Sequence, residues 1–408
     1  MENVIERFLR YVQIDTESQD GVEAIPSTEK QFNLANMLKK ELEEMGAKNV
    51  TIDEHAYVTA EIPSNVDYDT PTIAFISHMD TSPAISGANV KPNYIKNYDG
   101  KDIVLNEEKN IVLKTSEYPS LLDYVGQDII TTDGTTLLGA DDKAGVAEIM
   151  SFAEELINSD VKHGTVKIAF TPDEEVGRGV DLFPIDDFKA DFAYTVDGGA
   201  LGELEYENFN AAGAVITING TSIHPGSAKN MMKNAILIGM ELHSLLPVHQ
   251  TPDATEGYEG FYHLDVINGG VETTTMEYII RDHDMKLFNE KKEFMKKAVD
   301  FINTKYGEGT AVLDMRDSYY NMKEKVEPCM HLIDNAKLAM EKLGIKPIVT
   351  PIRGGTDGAR LSFMGLPCPN LCTGGHNYHG KYEYVCANSM KKITELLKEI
   401  TLIYAQKK

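Results

Sequence analysis

The sequence predicts an α/β fold: a mostly parallel central sheet with helices on both faces, interrupted by an inserted ferredoxin-like α+β domain. Three observations predict it. The short apolar runs Thr72 to Ser77, Val166 to Thr171 and Phe192 to Val196 lack a polar alternate, as strands covered on both faces do. A helix-like segment from Lys143 to Ile157 precedes the second run, which is the alternation of an α/β domain. Between Asn208 and Tyr320 the order changes to strand, helix, strand, strand, helix, strand, and βαββαβ is a ferredoxin-like unit.

In chain order, Thr28 with Gln31 three residues later forms a capping-box pattern. It opens a helix whose Phe32, Ala35, Leu38, Leu42 and Met45 fall mostly at helical spacing, and Gly46 closes it. The polar segment from Asn89 to Ser120 reads as an excursion with little sheet core. In the middle region the expected strands are Gly213 to Ile218, Phe261 to Ile267, Thr273 to Arg281 and Thr310 to Met315. The expected helices are Lys229 to Leu246, stopped by Pro247, and Met285 to Tyr306. A helix from about Cys329 to Leu343, a short strand near Ile348 and a closing helix from Ala387 to Tyr404 resume the first pattern. The simplest organisation is a discontinuous larger domain, residues 1–207 and 321–408, carrying an inserted domain of residues 208–320.

Composition narrows the function classes. Lys and Arg number 39 against 64 Asp and Glu, a net charge of −25, and no basic run exceeds a few residues. Nucleic-acid binding needs clustered cations, so that partner is excluded. No window of about 18 apolar residues is present to span a membrane, and the first residues lack the basic and apolar segments of a signal peptide. The expected location is the cytoplasm. Cys329, Cys368, Cys372 and Cys386 lie in the last fifth of the chain, too few and too clustered for a disulfide scaffold, and are read as reduced thiols. Cys368 and Cys372 have no matching second pair, so they read as buried strand rather than half a zinc site.

Chemistry concentrates in five segments. Three directly follow the predicted strands: His78-Met-Asp80, Asp173-Glu174-Glu175 and Asp197. The other two are Asp141-Asp142 between glycines before a helix, and Gly374-Gly-His-Asn-Tyr-His-Gly380 with His376 and His379. Each has an ordinary explanation: a satisfied polar pair, a helix cap, a solvated turn. A helix cap accounts for one aspartate but not two. Neighbouring carboxylates repel, and a fold keeps them beside its sheet when a cation or proton compensates. Ligand sites in open α/β sheets form at the carboxyl ends of strands, so these segments are expected to share one crevice. Histidine and carboxylate donors without thiolates suit Zn²⁺, Co²⁺ or Mn²⁺, with zinc the commonest hydrolytic choice. Which acid of each pair would hold metal stays open at this level.

As an ordered set, His78-Met-Asp80, Gly139-Ala-Asp-Asp-Lys-Ala-Gly145, Pro172-Asp-Glu-Glu-Val-Gly177, Val196-Asp-Gly198, His224-Pro-Gly226 and His379-Gly380 resemble the peptidase T family of tripeptide aminopeptidases. That family belongs with the dizinc exopeptidases, which also include acetylornithine deacetylase, succinyl-diaminopimelate desuccinylase and the aminoacylases. The resemblance implies two Zn²⁺ ions per subunit, for which Co²⁺ or Mn²⁺ could substitute, bridged by Asp141. His78 and Asp197 would complete one site, and Glu175 and His379 the other. Glu174 would be the general base activating a water between the metals, and Asp80 would orient His78. His224 is the implied oxyanion donor, and Asp142 would follow a cis peptide bond. Arg281 and Arg353 could pair with a substrate carboxylate. The inserted domain would act as lid, substrate or dimerisation domain; its exposed sheet edge could support a homodimer, though no sequence feature demands one. Tripeptides are the implied substrates. The alternatives are an N-acyl amino acid or peptide deacylase, and a catalytically silent metal- or peptide-binding protein, against which the base Glu174 argues.

Overall fold

A computed structural model describes residues 2–406, and the chain divides into two compact units. The larger comprises Met1–Tyr206, Glu324–Thr350 and Thr356–Lys408; the smaller comprises Glu207–Lys323 and Pro351–Gly355. The segment Pro351–Gly355, expected in the larger domain, groups with the smaller one. Ile352 N donates to Glu207 O, and the Arg353 guanidinium reaches carbonyls of Thr255, Gly257 and Glu259, which draws the segment there.

The larger unit is built on an eight-stranded sheet in the order Lys48–Ile52, Val58–Ile62, Val166–Thr171, Ile73–His78, Phe192–Gly198, Asn370–Cys372, Glu203–Glu205, Ile348–Val349. Four central strands run parallel; Val58–Ile62 and Glu203–Glu205 join them antiparallel on either side, Lys48–Ile52 pairs antiparallel with the first of these and Ile348–Val349 parallel with the second. The apolar runs became these central strands because both faces are covered: every residue of Ile73–His78 is buried. Helix Ala140–Ile157 lies on one face, with Phe75 meeting Phe152 edge-on at 5.2 Å between ring centroids. The other face packs Val180, Phe183, Phe188 and Leu361 against Ile76 and Ala169. Among the described residues no helix is long and apolar enough to cross a membrane.

Two expectations fail in this unit. The capping box does not form: helix Gln31–Met45 has no side-chain cap, because Thr28 Oγ1 donates to Glu17 O and Gln31 Nε2 to Asp173 Oδ1. Gly46 does close the helix in the left-handed conformation, φ 96°. The excursion from Asn89 also carries real sheet. Asn93–Ile95 joins Ile129–Thr131, Tyr384–Cys386 and Gly375–His376, over a core of Tyr98, Leu105, Leu113, Leu121 and Tyr124. Its apolar residues are spread thinly along a polar segment and meet only when the chain returns near residue 384.

The smaller unit is an antiparallel sheet in the order Phe261–Gly269, Thr273–Asp282, Asn210–Asn219, Ala311–Tyr319, the ferredoxin-like arrangement. Helices Ala235–Ser244 and Met285–Tyr306 bury Ile238, Leu242, Phe288, Met295 and Ile302 against Ile216, Ile218, Met276 and Ile280. The first helix is shorter than expected because Asn234 caps it, accepting from Ile236 N and Leu237 N.

Gly145 sets the distance between helix Ala140–Ile157 and the sheet, since a Cβ there would run into the Val196 carbonyl oxygen. Gly145→Ala should therefore lower unfolding free energy by roughly 1–3 kcal/mol, as overpacking does. Urea titration checks this; wild-type stability would show that the helix can shift without cost.

Candidate metal centre

The strand ends bring the predicted residues together within the larger unit. His78 closes its strand and is buried, as is Asp80 two residues later. His78 Nδ1 lies 3.1 Å from the Asp80 carbonyl oxygen and 3.2 Å from its carboxylate Oδ1. The same carboxylate accepts from Glu174 N at 3.0 Å and Glu175 N at 3.2 Å. Asp80 thus fixes both the imidazole and the backbone of the glutamate pair. Asp173 begins that turn at φ 53°, its carboxylate held by Ser27 N, Ser27 Oγ and Gln31 Nε2 at 2.6, 2.6 and 2.7 Å.

Asp141 stands between two sets of donors. Its Oδ1 is 2.9 Å from His78 Nε2, which is also 3.4 Å from Asp197 Oδ1. Its Oδ2 is 3.0 Å from His379 Nε2, which is 2.9 Å from Glu175 Oε2. In each set, His78, Asp141 and Asp197 or Asp141, Glu175 and His379, the ligand atoms lie within 4.8 Å of one another. The adjacent Asp142, across a cis peptide bond, turns away: it accepts from Ser77 Oγ and from His78 N at 3.2 Å. Glu174 enters neither set.

Electrostatics mark the group as short of positive charge. Burial pushes the Glu174 carboxyl well above its ordinary range, and Asp197, Asp357 and Glu175 add to the shift. Burial also raises Glu175 to about 8 and Asp197 to about 6. Burial alone would lower His78, but Asp197, Asp141 and Asp80 outweigh it and raise the imidazole well above its usual value. Hydrogen bonds to Asp141 and Glu175 lift His379 to about 11. Burial acts against ionised Asp141, yet bonds from His379 and His78 hold it below the ordinary range. Three carboxylates in the two sets, with Glu174 beside them, against two imidazoles leave an excess of acid, and Glu175 Oε1 is buried without a hydrogen-bond partner. Oxygen and imidazole donors with a buried oxygen unspent fit divalent cations.

The remaining predicted residues lie in the smaller unit. His224 is exposed and accepts from Gly226 N. Both Nη atoms of Arg353 are engaged with Thr255, Gly257 and Glu259, so its fork anchors a loop. Arg281 donates through Nη1 to Arg353 O, while its buried Nε has no hydrogen-bond partner. His376 joins an aromatic cluster instead of a ligand set: its Nε2 is 2.6 Å from Tyr124 Oη and its ring stacks on Tyr384. Sequence reasoning missed Asp357, which accepts from Thr171 Oγ1 at 2.8 Å and whose charge acts on Glu174. The stretch Gly354-Gly-Thr-Asp-Gly358, an acid among glycines, was the available signal. Lys143, buried with Nζ on Ile14 O at 2.7 Å, was also missed although it follows the aspartate pair.

Profiles described as peptidase dimerisation domain and as M42 glutamyl aminopeptidase match residues 206–310 and 129–257. Peptidase T of Clostridium novyi is 60% identical over 407 residues, covering 100% of both chains. The chain belongs to the peptidase T family. Peptidase T of Alkaliphilus oremlandii is 59% identical over 409 residues, again with 100% of each chain covered. Among solved structures, aminopeptidase PepT from Bacillus cereus shares the fold with a TM-score of 0.78 at 24% identity, covering 99% of this chain and 98% of that one. A dinuclear metal-binding M20-family peptidase from Bacillus subtilis gives 0.66 at 15% identity, covering 98% and 97%. Peptidase T membership makes the chain a peptidase.

The metal-free protein should be pH-sensitive in a definite direction. Glu175, Asp197 and His379 all have folded pKa values above their ordinary 4.5, 3.8 and 6.5. Each favours folding below its unfolded pKa, and that contribution is lost as pH rises through the folded value. Melting temperature of metal-free protein should fall between pH 5 and 8, and divalent cation should restore it at pH 8. A flat or rising profile would contradict the electrostatic account.

Proposed function

We propose that the chain is a metal-dependent tripeptide aminopeptidase that holds two Zn²⁺ ions, with Co²⁺ or Mn²⁺ as substitutes. The supporting observation is the Asp141 carboxylate, whose two oxygens face different histidine and carboxylate sets. His78 and Asp197 would complete one site, Glu175 and His379 the other. When bound, the ions would polarise the scissile carbonyl and acidify a water between them.

The chain's own residues then divide the work. Glu174 is the acid left outside both ligand sets, and its raised affinity for a proton suits a base that takes one from water and returns it to the leaving amine. Asp80 keeps that base in place through the two backbone amides while orienting His78. In the smaller unit, His224 is the proposed oxyanion donor. Arg281, with a buried Nε lacking a partner, suits a substrate carboxylate better than Arg353, whose fork is engaged.

The substrate class is supported by the peptidase T relatives and by the tripeptidase from Staphylococcus aureus, whose fold matches with a TM-score of 0.80 at 24% identity, covering 99% and 98%. A homodimer through the inserted unit is supported by the dimerisation-domain match and by the edge strand Phe261–Gly269, which exposes Val266 and Ile267. A cytoplasmic location accords with four free cysteines.

Two outcomes test this reading. Glu174→Gln should keep its metal and lose about 100- to 10,000-fold in kcat, the usual worth of a general base; loss of metal instead would give Glu174 a ligand's role. Free tripeptides should be cleaved and their N-acetylated forms spared. Turnover of only the acetylated forms would make the enzyme a deacylase.

A further inference from the structure

We infer that Glu383 is a positioning residue that clamps the Asp141 segment to the loop carrying His379. Its carboxylate is 1% exposed and accepts three backbone N–H bonds: Leu138 N and Gly139 N reach Oε2 at 2.7 and 2.9 Å, and Asp141 N reaches Oε1 at 3.1 Å. These amides belong to the irregular segment that leads into helix Ala140–Ile157, where Gly139 is left-handed at φ 80° and Asp141 and Asp142 depart from helical geometry. A helix start normally meets its unpaired N–H groups with an Asp, Ser or Thr side chain at the cap. Gly139 has no side chain to hold this segment, and a carboxylate more than 240 residues away in sequence accepts its amides instead.

The other end of the clamp is local. Glu383 N donates to Gly380 O at 3.2 Å, which closes the turn immediately after His379. His379 itself sits at φ 60°, a conformation a non-glycine residue holds only when its surroundings dictate it. His379 and Asp141, 3.0 Å apart, come from segments that share no hydrogen-bonded strand pairing with each other. Besides the direct His379–Asp141 contact, Glu383 ties the backbones of the two segments, so it sets the separation on which one ligand set depends. Because Asp141 belongs to both sets, loosening it disturbs both.

This inference rests on the proposed metal reading only in its second measurement. The first is amide exchange over residues 137–142 in full-length, metal-free Glu383→Gln and Glu383→Ala, taken well below each variant's melting temperature. Exchange should speed up in both, more in Glu383→Ala, since the glutamine keeps one acceptor oxygen. The second is Zn²⁺ affinity by competition with a chromogenic chelator, where both ions should bind about 10- to 100-fold more weakly and the glutamine should recover part of the loss. A stability role alone leaves the affinity of the folded variants unchanged. Wild-type exchange in both variants, or faster exchange with wild-type affinity, overturns the clamp. If wild-type protein takes up no Zn²⁺, the metal reading fails, and the exchange measurement still decides whether Glu383 holds the segment.

Discussion

The Asp141 carboxylate, held between His78 and His379, is the interaction on which the rest of the arrangement depends. One carboxylate can face two separate donor sets only if its backbone is fixed from several directions. Gly145 lets its helix press against the Val196 strand, and Asp142 pins the same turn to Ser77 and His78. The strand order places His78 and Asp197 on adjacent parallel strands, so one set arises from sheet geometry. The other requires loops, and His379 accordingly carries backbone strain.

Buried carboxylates recur around this centre, each with a different duty. Asp80 is spent on the Glu174 and Glu175 amides and on His78, and Asp173 on Ser27 and Gln31. Glu175, Asp197 and Glu174 have far fewer donors, and burial drives their pKa values up. The acids that shape the loops are satisfied within the protein. Those in the centre gain most from a divalent cation, because its charge offsets the burial that raises their pKa values.

The sheet was legible because continuous apolar runs have few readings other than strands buried on both faces, and His78, Glu174, Glu175 and Asp197 announced themselves at strand ends. Their meeting with Asp141 and His379 needed the fold. Residue patterns left each acid pair undivided; the geometry separates Asp141, facing both histidines, from Asp142, facing Ser77, and Glu175 from Glu174. Thr28 and Gln31 matched a capping box but bond to Glu17 and Asp173, since tertiary partners outcompete a local cap. Glu383 and Lys143 left no local pattern, because their partners, the amides of 138–141 and the Ile14 carbonyl, lie far away in sequence. Arg353 looked like a carboxylate receptor for its charge, and backbone carbonyls claim its fork instead.

The claim that Asp141 serves two ions at once is tested most directly by counting metal in purified Asp141→Asn beside wild type and Glu175→Gln. The account predicts two ions per chain in wild type, weakened retention of both in Asp141→Asn, and selective weakening of one in Glu175→Gln. Full retention of two ions by Asp141→Asn would contradict it.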